Sequence, residues 1–323
     1  MLSLIHAVAG RPWAIRAEIA LHVRGLLARE GISGLRHLAA LKEEVHAFDP
    51  QAAGRSGVPG TVGTVAVVPV IGTLTQRVQV IGSAQTRSTA EIVAQVRAYA
   101  ADPAIDAIVL EIDSPGGEVF GVPEAWQSIR ESAARKPVIA HANSIAASAA
   151  LYLGSAATEF WATPSGEVGS VGVYALHVDM SKALEEMGEA WDFIVATKSP
   201  YKIEGNPAGP LTDEARAHAQ KDVDRYMGMF LRDLAKGRGL SEKQVESTFG
   251  GGRMMGSTEA RGVGMIDQVG TFEQAVGRAA QIAGSRGPSK PRADLIRAEP
   301  MVMDPAELAA RAALVGVRTE DLK

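Results

Sequence analysis

The stretch PVIAHANSIAASAALYLGSAATEFWATP, residues 137–164, decides the fold. Its first six residues form an apolar run that reads as a buried strand, and the small residues that follow lack period-two alternation. A helix is expected to start near Ala146, which puts Ser148 in its first turn, and EFWATP reads as another short strand. Strand, helix and strand in so few residues point to a βαβ unit, with parallel strands and the helix covering the sheet. Ser148 then stands at the carboxyl edge of a parallel sheet, the edge where α/β folds bind ligands.

The alternation continues on both sides. Upstream lie the β-branched run TVAVVPVIGTL (64–74), the helical stretch STAEIVAQVRAYAAD (88–102) with a Ser/Thr cap, the strand IDAIVLEID (105–113) and the helix EAWQSIRESAARK. Downstream, EVGSVGVYALHVD (167–179) and DFIVAT (192–197) read as strands around the helix SKALEEMG. A long helix over 212–239 has a threonine cap and a glycine stop, and the segment ending in TFEQAVGRAAQIAG closes the domain near 284. Four segments follow. Residues 1–46 are expected to be a helical extension, in which Pro12 opens an amphipathic helix bearing Ile15, Ile19, Val23 and Leu26. Residues 47–60 are a turn-rich linker, 61–284 the main domain, and 285–323 a proline-punctuated linker with a short helix.

Composition narrows the chemistry. A chain of 323 residues, 46% hydrophobic, can bury a substantial core. Its 33 basic and 37 acidic residues leave a net charge of −4, with no long basic run, which argues against a nucleic-acid partner. There is no cysteine, so thiolate nucleophiles, disulfides and cysteine-ligated metals are excluded. The N-terminal apolar residues are interrupted by Arg11, Arg16, Glu18 and Arg24, so no membrane span or leader is expected there, and a cytoplasmic location follows.

Two constellations carry reactive potential. In EIDSPGGEVFG (111–121), a Pro-Gly-Gly turn after a strand either exposes backbone N–H groups to an anion or is an ordinary strand-to-helix turn. Ser148 is either a nucleophile, with the Ala149 N–H stabilising an oxyanion and the flanking alanines leaving room for a substrate backbone, or a helix cap. Ser144 reads as the better cap, and Ser155 lies further along the helix. A serine nucleophile needs a base. His141 and His177 lie on strands, not in turns that would aim an imidazole at Ser148. Lys198 and Lys202 sit in ATKSPYKIEGNP, a loop after a strand with few charges, where burial could hold an amine neutral.

In order, IDSPGG, SIAASAALYLGSAA, VGSVGV and KSPYKIEGNP resemble the motifs of the signal peptide peptidase A family of Ser/Lys proteases. The likeness spans roughly residues 60–280 and is strongest to the branch of lambda-like phage head maturation proteases. It implies Ser148 as nucleophile, Lys202 as general base and Ser170 as support of the base. The oxyanion hole falls to Gly117, with Gly116 beside it, and to the Ala149 N–H, while Lys198 matches a residue that is not the base. Many relatives carry glycine where this chain has Ala149-Ala150 or its second alanine, which implies a narrower channel. The implied fold is the α/β arrangement of ββα units shared by crotonases and the Clp proteolytic subunit. No metal or cofactor is implied.

The resemblance further implies a homo-oligomer that cleaves scaffold, portal or capsid proteins inside a prohead, encoded by a phage or prophage. The C-terminal MVMDPAELAARAAL would begin a scaffold segment, with Met301 or Met303 as an internal start. Two other roles compete: a cellular peptidase that degrades signal peptides, and a non-catalytic assembly protein on the same fold.

Overall fold

The computed structural model describes residues 12–15, 64–81 and 84–286. Strands are β1 (Pro12–Ile15), β2 (Val65–Ile71), β3 (Leu74–Thr75), β4 (Val80–Ile81), β5 (Ala84–Gln85), β6 (Arg87–Ser88), β7 (Ala107–Ser114), β8 (Gly116–Glu118), β9 (Val138–Ala147), β10 (Glu159–Ala162), β11 (Glu167–Gly169), β12 (Tyr174–Ala175), β13 (Met254–Gly256) and β14 (Gln268–Val269). Helices are α1 (Thr89–Ala101), α2 (Val122–Arg135), α3 (Ala149–Gly154), α4 (Ser181–Glu186), α5 (Asp213–Arg238), α6 (Glu242–Thr248), α7 (Ser257–Gly262) and α8 (Phe272–Arg286).

The expected α/β architecture is what the chain adopts. β2, β7, β9, β10 and β14 run parallel in succession, and the far end of β9 also pairs with β11, which is antiparallel to β13. β9 can serve three neighbours because it bends. Its register against β7 breaks between Ile112 and Ser114, which pair with Ala142 and Ala146, so Asn143 to Ile145 bulge out.

Period-two alternation assigns the two faces of this sheet. Val68, Val70, Ile108, Leu110, Ile112, Ala140 and Ala142 pack into the larger core together with residues of α1, α2, α3 and α5. Val65, Ala107, Val109 and Ile139 meet Ala275, Val276, Ala279 and Ala280 of α8 on the opposite face. Both faces are buried, which is why these strands read as unbroken apolar runs. Ser88 Oγ accepts from the Glu91 amide to cap α1, Thr212 caps α5 in the same way, and Gly239 ends α5 with φ 66°. A second sheet has the order β12-β1-β8-β3-β6, and β4 and β5 form a separate hairpin. No described helix is long and apolar enough to cross a membrane.

Four expectations are corrected. Residues 12–15 form a strand rather than the opening of a helix, because backbone partners exist on both sides of them; residues 16–46 of the expected extension and the linker at 47–60 lie outside the described residues. β9 runs on to Ala147, and the helix begins at Ala149 rather than near Ala146. The stretch 167–179 is not one strand but β11 and β12, broken at Ser170, whose φ of 55° is incompatible with a ladder. Asp192–Thr197 has a strand-like sequence yet forms no strand, since no edge within the described residues pairs with it; Ile194 is 98% exposed. At the other end α8 continues to Arg286, and the remaining C-terminal residues, including the stretch read as a scaffold start, lie outside the description.

Candidate active site

β9 delivers Ser148 to a sharp elbow. The residue has φ 54° and ψ −116°, a conformation that costs a non-glycine residue of order 1–3 kcal/mol and that persists only where surrounding structure enforces it. Two backbone bonds do so. The Ser148 amide donates to the Gly169 carbonyl at 2.8 Å, and the Ser148 carbonyl accepts from the Tyr152 amide at 2.9 Å. α3 is clamped in turn by Tyr152, whose ring stacks on Phe230 of α5 with centroids 4.5 Å apart and whose hydroxyl donates to Asp233. Burial, more than the bond to Asp233, pushes the Tyr152 pKa up and keeps the phenol neutral.

The side chain of Ser148 is fully buried, and its Oγ has no hydrogen-bond partner. It makes no cap bond to α3. Of the two readings open from sequence, the cap is therefore not what the hydroxyl does. A buried hydroxyl without a partner carries an unrecovered desolvation cost of about 1–3 kcal/mol. Ser144, the expected cap, lies within β9 instead and donates to the Asp113 carboxylate, while Ser155 lies further along as expected, at the far end of α3, donating to the Tyr152 carbonyl and accepting from Trp126.

The alanines around the serine serve packing. Ala146, Ala147, Ala149 and Ala150 are all fully buried, so they let α3 press onto the sheet instead of flooring an open channel. As the first residue of α3, Ala149 has no intrahelical acceptor for its N–H. α3 also packs against β8, which brings the Pro-Gly-Gly turn to the elbow. There the two glycines differ. The Gly116 amide is engaged by Ser114 Oγ at 3.2 Å, and Ser114 Oγ itself donates to the Gly72 carbonyl at 2.7 Å. Gly117 lies where a Cβ would stand 1.8 Å from the Leu74 carbonyl oxygen, so only glycine allows β3 to approach so closely.

Ser170 has φ 55°, and its amide donates to the Arg253 carbonyl at 2.8 Å. Gly169 before it has φ +138°, with a hypothetical Cβ 2.5 Å from the same Arg253 oxygen. The Gly169 carbonyl that holds Ser148, and the Arg253 carbonyl behind it, are not singled out by sequence; the glycine pairs of VGSVGV are their only signal.

The structure brings Ser148, Ala149, Gly116, Gly117, Gly169 and Ser170 into one connected set. It does not bring the lysine to them. Lys202 lies in a 3-10 turn, Pro200–Ile203, with its side chain exposed, and makes no hydrogen bond to Ser148; Lys198 is exposed as well. Neither histidine takes its place. His141 Nε2 bonds the Gly270 carbonyl at 3.0 Å, and His177 Nε2 bonds the Gly209 carbonyl at 3.1 Å.

The capsid assembly protease C of Escherichia phage lambda is 34% identical over 183 residues, 56% of this chain and 41% of that protein. The head-tail preconnector protein GP5 of Enterobacteria phage P21 is 32% identical over 185 residues, 56% of this chain and 36% of that protein. The chain thus matches about two fifths of the length of these relatives. Among solved structures, a point mutant of ClpP1 from Listeria monocytogenes aligns with a TM-score of 0.40 and 15% identity over 65% of this chain and 94% of that chain. The sequence model of Peptidase family S49 matches residues 130–286, just under half of the chain, a span that includes Ser148, Ser170 and Lys202.

Proposed function

We propose that this chain is a serine endopeptidase with a Ser148/Lys202 dyad. The observation that carries the reading is the strained, fully buried Ser148 whose Oγ has no partner. In the reaction, neutral Lys202 Nζ takes the Ser148 Oγ proton as the oxygen attacks a substrate peptide carbonyl. The oxyanion is received by the N–H groups of Gly117 and Ala149. The product amine leaves with the proton returned from Lys202; Lys202 Nζ then takes a proton from water as its oxygen attacks the acyl carbonyl, and gives it to Ser148 Oγ as the ester bond breaks and the acid leaves. Ser170 orients the lysine. Gly116, with its amide held by Ser114, shapes the turn. The loop bearing Lys202 must close over Ser148, or a second copy must supply the amine, before the first proton moves.

The substrates are proteins of phage head assembly, and the site works in the cytoplasm or inside a prohead. Two phage relatives support this, one of them a capsid assembly protease by name. A homo-oligomer accords with the exposed apolar Met187, Trp191, Phe193 and Ile194, which cluster just before the lysine loop.

The test incubates wild type, Ser148→Ala and Lys202→Ala with a candidate scaffold protein and reads fragments by intact mass. Fragments from wild type alone are expected. Identical mass profiles for all three proteins would remove the enzymatic reading and leave a non-catalytic assembly role; cleavage of signal peptides but not scaffold would favour a cellular degradative role.

A further inference from the structure

The second sheet holds a feature that the dyad does not use. β1 is a strand from the N-terminal part of the chain, laid antiparallel between two edges. On one side Trp13 pairs with Glu118, Ala14 with Gly117 and Ile15 with Gly116 of β8. On the other, Pro12 pairs with Ala175 and Trp13 with Tyr174 of β12. β12 has no other strand partner among the described residues, whereas β8 keeps β3 on its far side. With β1 lifted out, what is left is a slot one strand wide with backbone donors and acceptors on both walls. Such a double edge takes up an extended polypeptide through its main chain, largely regardless of sequence.

We propose that Pro12–Ile15 is an internal occupant of the peptide slot, so that the chain is latent until this strand is displaced. The inference rests on reading the site as a peptidase. Three observations carry it. First, the walls of the slot are parts of the candidate site: β8 contains Gly116 and Gly117, packs against the helix that Ser148 opens, and β12 follows Ser170 in the same connection. Second, β1 runs antiparallel to the wall that carries the two glycines. Its register moves from Glu118 to Gly117 to Gly116 as the chain runs on, which sets the peptide bond between Ala14 and Ile15 at the level of the candidate oxyanion donor. Third, the occupant is tethered. Being part of the same chain, it competes intramolecularly, at an effective concentration that a diffusing substrate must match to displace it. Removing β1 leaves every pair of the main parallel sheet in place, so displacement does not require unfolding.

The test uses the full-length chain carrying Ser148→Ala, in which no acyl-enzyme can form, and a fluorescein-labelled peptide of sequence GRPWAIRAE, residues 10–18. Binding is followed by fluorescence anisotropy in Ser148→Ala and in Ser148→Ala/Ala14→Pro. Proline at position 14 removes a backbone donor and weakens β1 as a ladder strand. The double variant is expected to bind the peptide at least about tenfold more tightly, because its slot is open in a larger fraction of molecules. Trp13→Pro in place of Ala14→Pro repeats the measurement, with circular dichroism confirming that each variant is folded. Equal affinity with and without the prolines, or no binding to any folded variant, overturns the proposal. Catalysis enters none of these readings. A chain that binds the peptide only when β1 is weakened, yet leaves scaffold uncut with Ser148 intact, would keep the latent slot and lose the peptidase.

Discussion

The amide of Ser148 donates at 2.8 Å to the carbonyl of Gly169, the residue just before Ser170, and Ser148 and Ser170 are the only two non-glycine residues with positive φ among the described residues. Strain at Ser148 is thus held by a second strained segment, which is pinned to Arg253 through the Ser170 amide. The weak point of this arrangement is Gly169. An added methyl group would meet the Arg253 backbone oxygen at 2.5 Å with φ at +138°, and backbone cannot yield as a side-chain tip can. Gly169→Ala is expected to destabilise the fold by about 2–4 kcal/mol, measured by urea unfolding, and to slow labelling of Ser148 by a fluorophosphonate even under conditions where the protein stays folded.

Ser148 itself should be a site where function opposes stability. Its hydroxyl is buried without a partner, and its backbone sits where glycine rests without penalty. Ser148→Gly removes both costs, and although the unfolded chain gains freedom, the variant is expected to be more stable than wild type by about 1–2 kcal/mol. Peptidase activity should be absent. A lower midpoint in thermal unfolding would mean that the elbow is not strained in the way described.

Much of this is legible in the sequence, for a physical reason that also explains the failures. The parallel sheet is buried on both faces, so its strands announce themselves as runs such as AIVLEI and VIAHA, and the caps at Ser88 and Thr212 are local chemistry. Ser148 stands out because a hydroxyl among alanines at a strand-to-helix junction is unusual. What cannot be read is whatever depends on distant backbone. Pro12–Ile15 is a strand only because β8 and β12 flank it, and DFIVAT lacks a partner although its pattern suits one. The division of labour between Gly116 and Gly117 depends on Ser114 and Leu74, which a motif of two glycines does not reveal.

His141 makes the fold sensitive to acid. Its Nε2 bonds a carbonyl and so carries the proton, which leaves Nδ1 an acceptor, buried and without a donor. Burial is the main influence and lowers its pKa below the ordinary imidazole value, against the Gly270 carbonyl, Glu111 and Glu273, which raise it. Below a pH of about 6.5 the unfolded chain takes up a proton that the folded chain resists, so stability is full above that pH and falls as the pH drops toward the folded value. Urea midpoints measured from pH 8 to pH 5 should decline for wild type. His141→Gln, which keeps a donor for Gly270, should decline less.

Asp267 fastens the end of α5 to the sheet. Arg238 Nη1 and Nη2 donate to its two carboxylate oxygens at 2.9 and 2.6 Å, and the Phe160 amide donates to it at 2.6 Å. The arginine side chain is only 6% exposed. Asp267→Ala leaves Arg238 with only its Nε bond to the Gly264 carbonyl and frees a backbone donor of β10, and because the Asp267 side chain is 36% exposed a loss of about 1–3 kcal/mol is expected. Asp267→Asn, which can still accept from one partner, should lose less in the same urea titration.

The two lysines of the exposed loop allow the proposed base to be tested against its neighbour. Lys198 and Lys202 are both solvated in this structure, so neither is favoured by burial, and the distinction lies in which one the closed site admits. Lys202 stands within the 3-10 turn, its amide bonded to the Ser199 carbonyl at 3.1 Å, whereas Lys198 precedes that turn. With Lys202 as base, Lys202→Ala should lower the rate of scaffold cleavage by about 10²–10⁴-fold, as removal of a general base does, and Lys198→Ala should stay within about threefold of wild type because a surface charge is all it removes. Lys202→Arg is the sharper variant: its guanidinium keeps the positive charge and the reach but cannot give up a proton at neutral pH. It should be as inactive as alanine, and a Lys202→Arg protein that retained cleavage would show that charge, not proton transfer, is what the loop contributes.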